Sequence, residues 1–308
     1  MFVIKYRKIF FIFTGVIVAS AIFSIIFFGL NFGIDFTGGA IAEISYKTAD
    51  FEKEKIPSKE ELEGQLRNLP IGGFSIRPTE DDSFILRTRN LTEDERMSVI
   101  KALSFNGEKD VIQKRFNSIG PVIGSELRNK ALVAIGIVII AIILFIAFVF
   151  RKVSEQISSW KYGIVAILAL IHDILVPVGI FAFLGYTTAV EIDILFVMAL
   201  LAILGYSIND TIVVFDRVRE NLRFNNENRS KEEFDITVGK SLNQTYMRSI
   251  NTSLTTLFVL LALFFVGSEA TQNFALVLAI GIIAGTYSSI FFATPLLVTV
   301  ERLSNKNK

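Results

Sequence analysis

Six long apolar runs decide what this chain can fold into: about Ile9–Phe28, Ala131–Phe150, Gly163–Leu184, Ile194–Phe215, Ile250–Val266 and Phe274–Val298. Each approaches or exceeds the ~20 residues that a helix needs to cross a ~30 Å hydrocarbon core. A soluble chain rarely averages 52% hydrophobic residues with 29 Phe in 308, so the runs are read as membrane spans. The expected fold class is a polytopic α-helical membrane protein with six transmembrane helices. Between helices 1 and 2 it carries an extracytoplasmic α+β ferredoxin-like domain.

The distribution of Lys and Arg sets the orientation. The head (1–8), the loop 151–161 and the tail from 299 carry three each, and the loop 216–249 carries seven. The two short opposite loops, Gly185–Asp193 and Gly267–Asn273, carry none. The remaining fifteen lie in 31–130, a segment long enough to be exempt from the rule. Both termini are therefore expected in the cytoplasm. Ile9–Phe28 follows Lys5, Arg7 and Lys8 as a signal peptide would. It is longer than an ordinary signal core, no A-x-A site follows, and five spans come after it, so it reads as an uncleaved anchor.

The expected organisation is a cytoplasmic head and first span (1–30), a periplasmic domain (31–130), five spans with a cytoplasmic loop at 216–249 (131–300), and a cytoplasmic tail (301–308). Within 31–130, Ala40–Tyr46 reads as a strand, Ser58–Asn68 as a helix, and Gly73–Arg77 with Ser83–Thr88 as a strand pair. Thr92–Ser104 follows as a helix with a Thr92/Glu95 capping box, and Val111–Ile119 as a last strand. That order is the split β-α-β-β-α-β motif. In the loop 216–249, Ser230 and Glu233 suggest a second capping box. Phe234, Val238, Leu242 and Tyr246 suggest an amphipathic helix at the membrane surface, or a solvated helix with a narrow contact stripe.

Polar groups inside the spans carry the functional argument, because an ionisable side chain at that depth is costly. Ser207, Asp210 and Thr211 lie at i, i+3 and i+4 and form one polar stripe, with Asn209 beside it. The stripe suits a titrating carboxylate facing the bundle interior, or a structural acid in a fixed ion pair. Arg248, Asn251, Thr252 and Thr255 form a second stripe at the start of the fifth span. Arg248 is the expected intrachain partner of Asp210, unless it only reaches to the interface. His172 and Asp173 sit mid-span, four residues before Pro177, which loosens local backbone bonding. Adjacent helical residues point about 100° apart, so the two need not share a face. Gly281, Gly285 and Ser289 give the sixth span a small-residue packing ridge. Gly29, Gly33, Gly38 and Gly39 mark a tight exit from the first span, since no G-K-[ST] follows them.

The exclusions are sharp. With no Cys and one His, disulfides, thiol catalysis and His/Cys zinc clusters are ruled out. No G-x-S-x-G occurs, so the chain is not expected to be an enzyme, and no cofactor, metal, nucleotide or nucleic acid is expected. Three readings stay open: an ion-coupled subunit of a larger machine, a stand-alone small exporter of lipids or drugs, and a passive structural subunit.

GIDFTGG (33–39), the HD of the third span, GYSINDTIVVFDRVREN (205–221) and LNQTYMRSINTSLTT (242–256) together resemble the SecD/SecF family, in its SecF branch. The resemblance covers the whole chain, and its length suits a separate SecF rather than a SecD–SecF fusion. It implies membership of the resistance–nodulation–division superfamily, a bacterial inner-membrane location, and use of the proton motive force in late preprotein translocation. The implied partners are SecD, the SecYEG channel, YajC, YidC and unfolded preprotein. By motif position it places the family's intramembrane acid at Asp210 and its basic residue at Arg248, with Asn209 and Asp173 as secondary carry-overs. The spacing arguments add His172, Ser207, Thr211, Asn251 and Thr252.

Overall fold

The computed structural model describes residues 2–46, 56–79, 83–149, 158–230 and 232–306. It divides into two compact units, a small domain of residues 32–131 and a helical unit of residues 1–31 and 132–308. Arg151 and Lys152 of the loop expected at 151–161 lie outside the described residues.

The helical unit opens with a short turn, α1 (Phe2–Lys5), and the first long helix, α2 (Arg7–Phe28). In the small domain, α3 (Ile34–Thr37) leads into β1 (Gly39–Tyr46), α4 (Lys59–Leu66), β2 (Ser75–Pro78), β3 (Ser83–Thr88), α5 (Glu93–Leu103) and β4 (Val111–Ile119). The sheet order is β2-β3-β1-β4 with every neighbouring pair antiparallel, as a split β-α-β-β-α-β fold requires. β2 starts two residues later than its sequence pattern suggests. The turn before it holds Gly72 at φ +72°, a conformation that favours glycine. Leu62 and Leu66 of α4, Val99 and Leu103 of α5, and Ile44, Ile76 and Leu86 of the sheet close the core. The glycine pair ahead of β1 is sterically required. A side chain on Gly38 (φ +72°) would lie 2.8 Å from the Pro121 Cα, and one on Gly39 (φ +133°) 2.8 Å from the Thr88 carbonyl.

Both helices of the domain begin on complete capping boxes, Ser58 with Glu61 and Thr92 with Glu95. Arg89 also reaches Glu95, through its Nη1 at 3.1 Å and through its Nη2. The Arg89 hydrogen bond, then the Thr92 backbone amide, hold the Glu95 carboxyl down at about 2. The sign follows directly: a depressed acid stabilises the fold above its unfolded pKa of about 4.3 and loses that contribution as pH falls toward 2. Hydrogen exchange across α5 is expected to rise as pH drops through that window. Glu95→Gln should flatten this pH dependence, and an unchanged profile would show that the cap does not hold the helix.

The helical unit continues with α6 (Pro121–Val149), α7 (Ser159–Thr187), α8 (Ile194–Glu227), α9 (Phe234–Val266), α10 (Glu269–Tyr287), a π-helical turn (Ser288–Ala293) and α11 (Thr294–Lys306). α10, the turn and α11 form one rod, and among the described residues six helices are long and apolar enough to cross a membrane. α2 and α7 touch at Gly179, where a methyl would collide with Ala21, and Ser24 Oγ donates to the Gly179 carbonyl at 2.7 Å. The 281/285/289 ridge of the last rod packs on α8. A side chain at Gly281 would overlap Ile203, and one at Gly285 would meet the Ser207 Cβ at 3.0 Å.

The segment 216–249 departs from its reading as a loop. α8 runs on to Glu227 and α9 starts at Phe234, so a helical hairpin occupies it. Side chains zip the two arms: Asn221 Nδ2 donates to Ser241 Oγ and Gln244 Oε1, both at 2.8 Å, and Asn225 Nδ2 donates to Thr237 Oγ1 at 2.9 Å. Val238 and Leu242 are buried among helices, so the apolar stripe is a packing seam rather than a membrane-surface face. The Ser230/Glu233 capping box does not form. Ser230 Oγ accepts from the Glu232 amide at 3.3 Å, and Glu233 caps α9 with no side-chain bond.

Candidate functional site

α8 carries the Ser207/Asp210/Thr211 stripe into the helical unit, where all three are buried. Each finds a different neighbour, because positions three and four apart spread over a wedge of the helix surface. The wedge divides the polar interior into two clusters.

The first centres on Asp173 of α7, which is fully buried. Its Oδ1 lies 2.8 Å from His172 Nδ1. Its Oδ2 accepts from Ser288 Oγ at 2.9 Å and from Ser207 Oγ. His172 and Asp173 thus meet at their side-chain tips even though their Cβ directions differ by about 100°. The π-helical turn lies across from them and supplies two further hydroxyls to the interior. Ser288 points to Asp173 while its neighbour Ser289 bonds Thr211 at 2.9 Å. The His172 ring stacks loosely beside Tyr287 and Phe292, and its Nε2 is buried with no hydrogen-bond partner among the described residues. Pro177, four residues on from Asp173, has no N–H to return to the Asp173 carbonyl. With three donors around it, the Asp173 carboxylate is nearly saturated.

The second cluster holds Asp210, which is 4% exposed. Its Oδ2 has one long contact, 3.5 Å from Ser253 Oγ of α9, and Ser253 in turn meets Thr286 Oγ1 of α10 at 2.5 Å. No ion pair reaches Asp210 among the described residues. Arg248 makes no direct ion pair with Asp210, although its charge is felt at that carboxyl: its side chain is exposed on α9, and so are Asn251 and Thr252, whose hydroxyl bonds back to the Arg248 carbonyl at 2.9 Å. α9 turns Ser249 and Ser253 inward instead. Asn209 is exposed as well. Asn209 of α8 and Arg248, Asn251 and Thr252 of α9 therefore put polar groups on the outside of membrane helices.

Ser253, Thr286 and Ser288 were not singled out from the sequence. Each is one hydroxyl among several in its stretch, SINTSLTT (249–256) or TYSS (286–289), and its importance comes only from the acid across from it. Chemically, Asp173 is an acid fixed by three donors. Asp210 is a buried acid with one weak hydrogen bond, to Ser253, and the Arg248 charge acting on it without a direct ion pair.

Residues 99–303 match the family described as protein export membrane protein SecD/SecF, C-terminal, and residues 23–50 match the SecD/SecF GG motif. The protein translocase subunit SecF of Thermobaculum terrenum is 40% identical over 97% of this chain and 93% of its own length. SecF of Anaerolinea thermophila is 34% identical over 96% of this chain and 92% of its own. The crystal structure of SecDF from Thermus thermophilus, a translocon-associated membrane protein, superposes with a TM-score of 0.79 at 32% identity. The superposition covers 99% of this chain but 38% of the SecDF chain, so this chain spans about two fifths of that protein.

Proposed function

This chain belongs to the SecD/SecF family of protein-export membrane proteins, and we propose that it works with SecD to couple ion flow to the late steps of preprotein translocation. In this reading Asp210 is the group that takes up and releases the ion. One observation carries it: a carboxylate 4% exposed, held by a single 3.5 Å contact, on a helix that also carries the exposed Asn209. SecD supplies the surface that covers Asn209, Arg248, Asn251 and Thr252, and with it the rest of the ion path. Asp173 and His172 hold α7, α8 and the π-helical turn in register behind Asp210.

The distribution of Lys and Arg supports both termini in the cytoplasm of a bacterial inner membrane, with residues 32–131 outside. There the small domain meets unfolded preprotein emerging from SecYEG, with YajC and YidC as neighbours. One charge moving across 100 mV supplies roughly 2.3 kcal/mol, enough to bias a domain whose two states differ by a few kcal/mol.

Arg248→Ala tests this arrangement. Co-purification with SecD should persist, while gradient-stimulated export falls roughly tenfold, the effect of about 1.4 kcal/mol. Loss of SecD binding would make Arg248 an assembly residue, and unchanged export would remove it from the ion path.

A further inference from the structure

At one end of the helical unit three charged groups from distant parts of the chain meet. Asp235, at the start of α9, takes Arg7 at 3.4 Å and Arg302 Nε at 3.1 Å. The turn α1 separates two openings here, and Ile4, itself 5% exposed, lines both. The first opening, about 700 Å³, is rimmed by Lys5, Arg7, Lys8 and Arg302 against Glu233 and Asp235. The second, about 320 Å³, is lined mostly by apolar side chains: Phe2, Val3, Leu242, Tyr246 and Phe291.

Charge and depth are ordered along α9. The basic mouth touches α9 at Glu233, Asp235 and Ile236, and the apolar groove touches it at Gly239, Leu242, Asn243 and Tyr246. At 1.5 Å per residue, Asp235 and Tyr246 are about 16 Å apart along the axis. Asp235 is occupied by two arginines. Lys5 and Lys8 are exposed and have no ion-pair partner among the described residues, which leaves the mouth with a cationic surplus. Tyr6 lies beside it, 40% exposed, where an amphipathic ring suits the headgroup level.

We propose that this pair of openings is a binding site for one anionic phospholipid. The phosphate lies against Lys5 and Lys8, and one acyl chain runs into the groove under Phe2 toward Tyr246 and Phe291. A basic pocket adjoining an apolar groove at membrane helices is the arrangement that suits such lipids, with the acyl chain crossing α1 at Ile4. A free phosphate has no use for the groove, and a zwitterionic lipid has none for the surplus charge.

Native mass spectrometry of the purified chain, titrated with phosphatidylglycerol or with phosphatidylcholine of the same acyl chains, tests the site. Phosphatidylglycerol should be retained more strongly. The double variant Lys5→Gln/Lys8→Gln, both exposed positions, should weaken its retention roughly 10- to 30-fold, at about fivefold per lysine, and leave phosphatidylcholine unchanged. Asn243→Phe, which fills the groove from an exposed position, should weaken phosphatidylglycerol while leaving the lysines intact. Equal retention of the two lipids, or a double variant that binds phosphatidylglycerol as the parent does, overturns the proposal. Complete displacement by equimolar glycerol phosphate also overturns it, and assigns the mouth to a soluble anion.

Discussion

Asp210→Asn is expected to abolish the part of export that depends on the ion gradient, leaving the gradient-independent rate. Asparagine keeps the shape and still offers an oxygen to Ser253, so the α8–α9 contact survives while the ability to exchange a charge is lost. If one ion per stroke crosses about 100 mV, the lost drive is roughly 2.3 kcal/mol, a ceiling of about 50-fold in rate. The check is export into energised membrane vesicles with and without a dissipating ionophore. The variant should match the dissipated parent in both conditions. Normal gradient dependence in Asp210→Asn, with normal SecD assembly, would reduce the chain to a structural subunit.

Asp173→Ala should act in a different way, by destabilising the helical unit. The substitution leaves His172 Nδ1 and Ser207 Oγ without their acceptor, both in residues 2% exposed, while Ser288 Oγ keeps the Gly285 carbonyl at 3.1 Å. An unsatisfied buried donor costs about 1–3 kcal/mol, although hydrogen bonds inside membranes average nearer 0.6 kcal/mol. A net loss of about 2–4 kcal/mol is expected, read as a lower unfolding midpoint in detergent. On the proposed reading Asp173 is scaffold, held by three donors, so export per folded molecule should stay near the parent value. A variant with an unchanged midpoint but lost export would move Asp173 from the scaffold into the ion path.

These two acids also show where sequence reading stops. The stripe Ser207/Asp210/Thr211 was legible because it is a polar wedge on an otherwise apolar helix, and its burial follows. The 281/285/289 ridge was legible for the complementary reason, since small residues at fourfold spacing have little use except close approach. The helix at Thr92–Ser104 was readable from its cap, since Thr92/Glu95 closes as the expected box; the Ser58/Glu61 box ahead of α4 closes as well but was not read from the sequence.

The rotation of α9 was not legible. From Arg248 to Thr256 the sequence reads RSINTSLTT, polar on nearly every face, so periodicity favours no single side. Arg248 looked like the inward residue because charges in spans usually face the bundle interior, yet it lies on the exposed face of this chain. In the hairpin 216–249 the second arm was legible as the helix that Phe234, Val238, Leu242 and Tyr246 suggest, and its pairing with an extended α8 was hidden for a related reason. Its inward seam of Asn221, Asn225, Ser241 and Gln244 is polar, and polar seams read as loop. The π-helical turn at Ser288–Ala293 leaves no sequence signature at all, yet it delivers Ser288 to Asp173 and Ser289 to Thr211.

The most direct test of ion coupling is flux itself. Proteoliposomes holding this chain with SecD, loaded with a pH-sensitive dye and given an imposed proton gradient and membrane potential, should take up protons in the parent. The same vesicles with Asp210→Asn should show only the background leak of protein-free liposomes. Equal proton entry in the parent and in the Asp210→Asn variant would contradict the account, because the path would then not pass through this carboxylate.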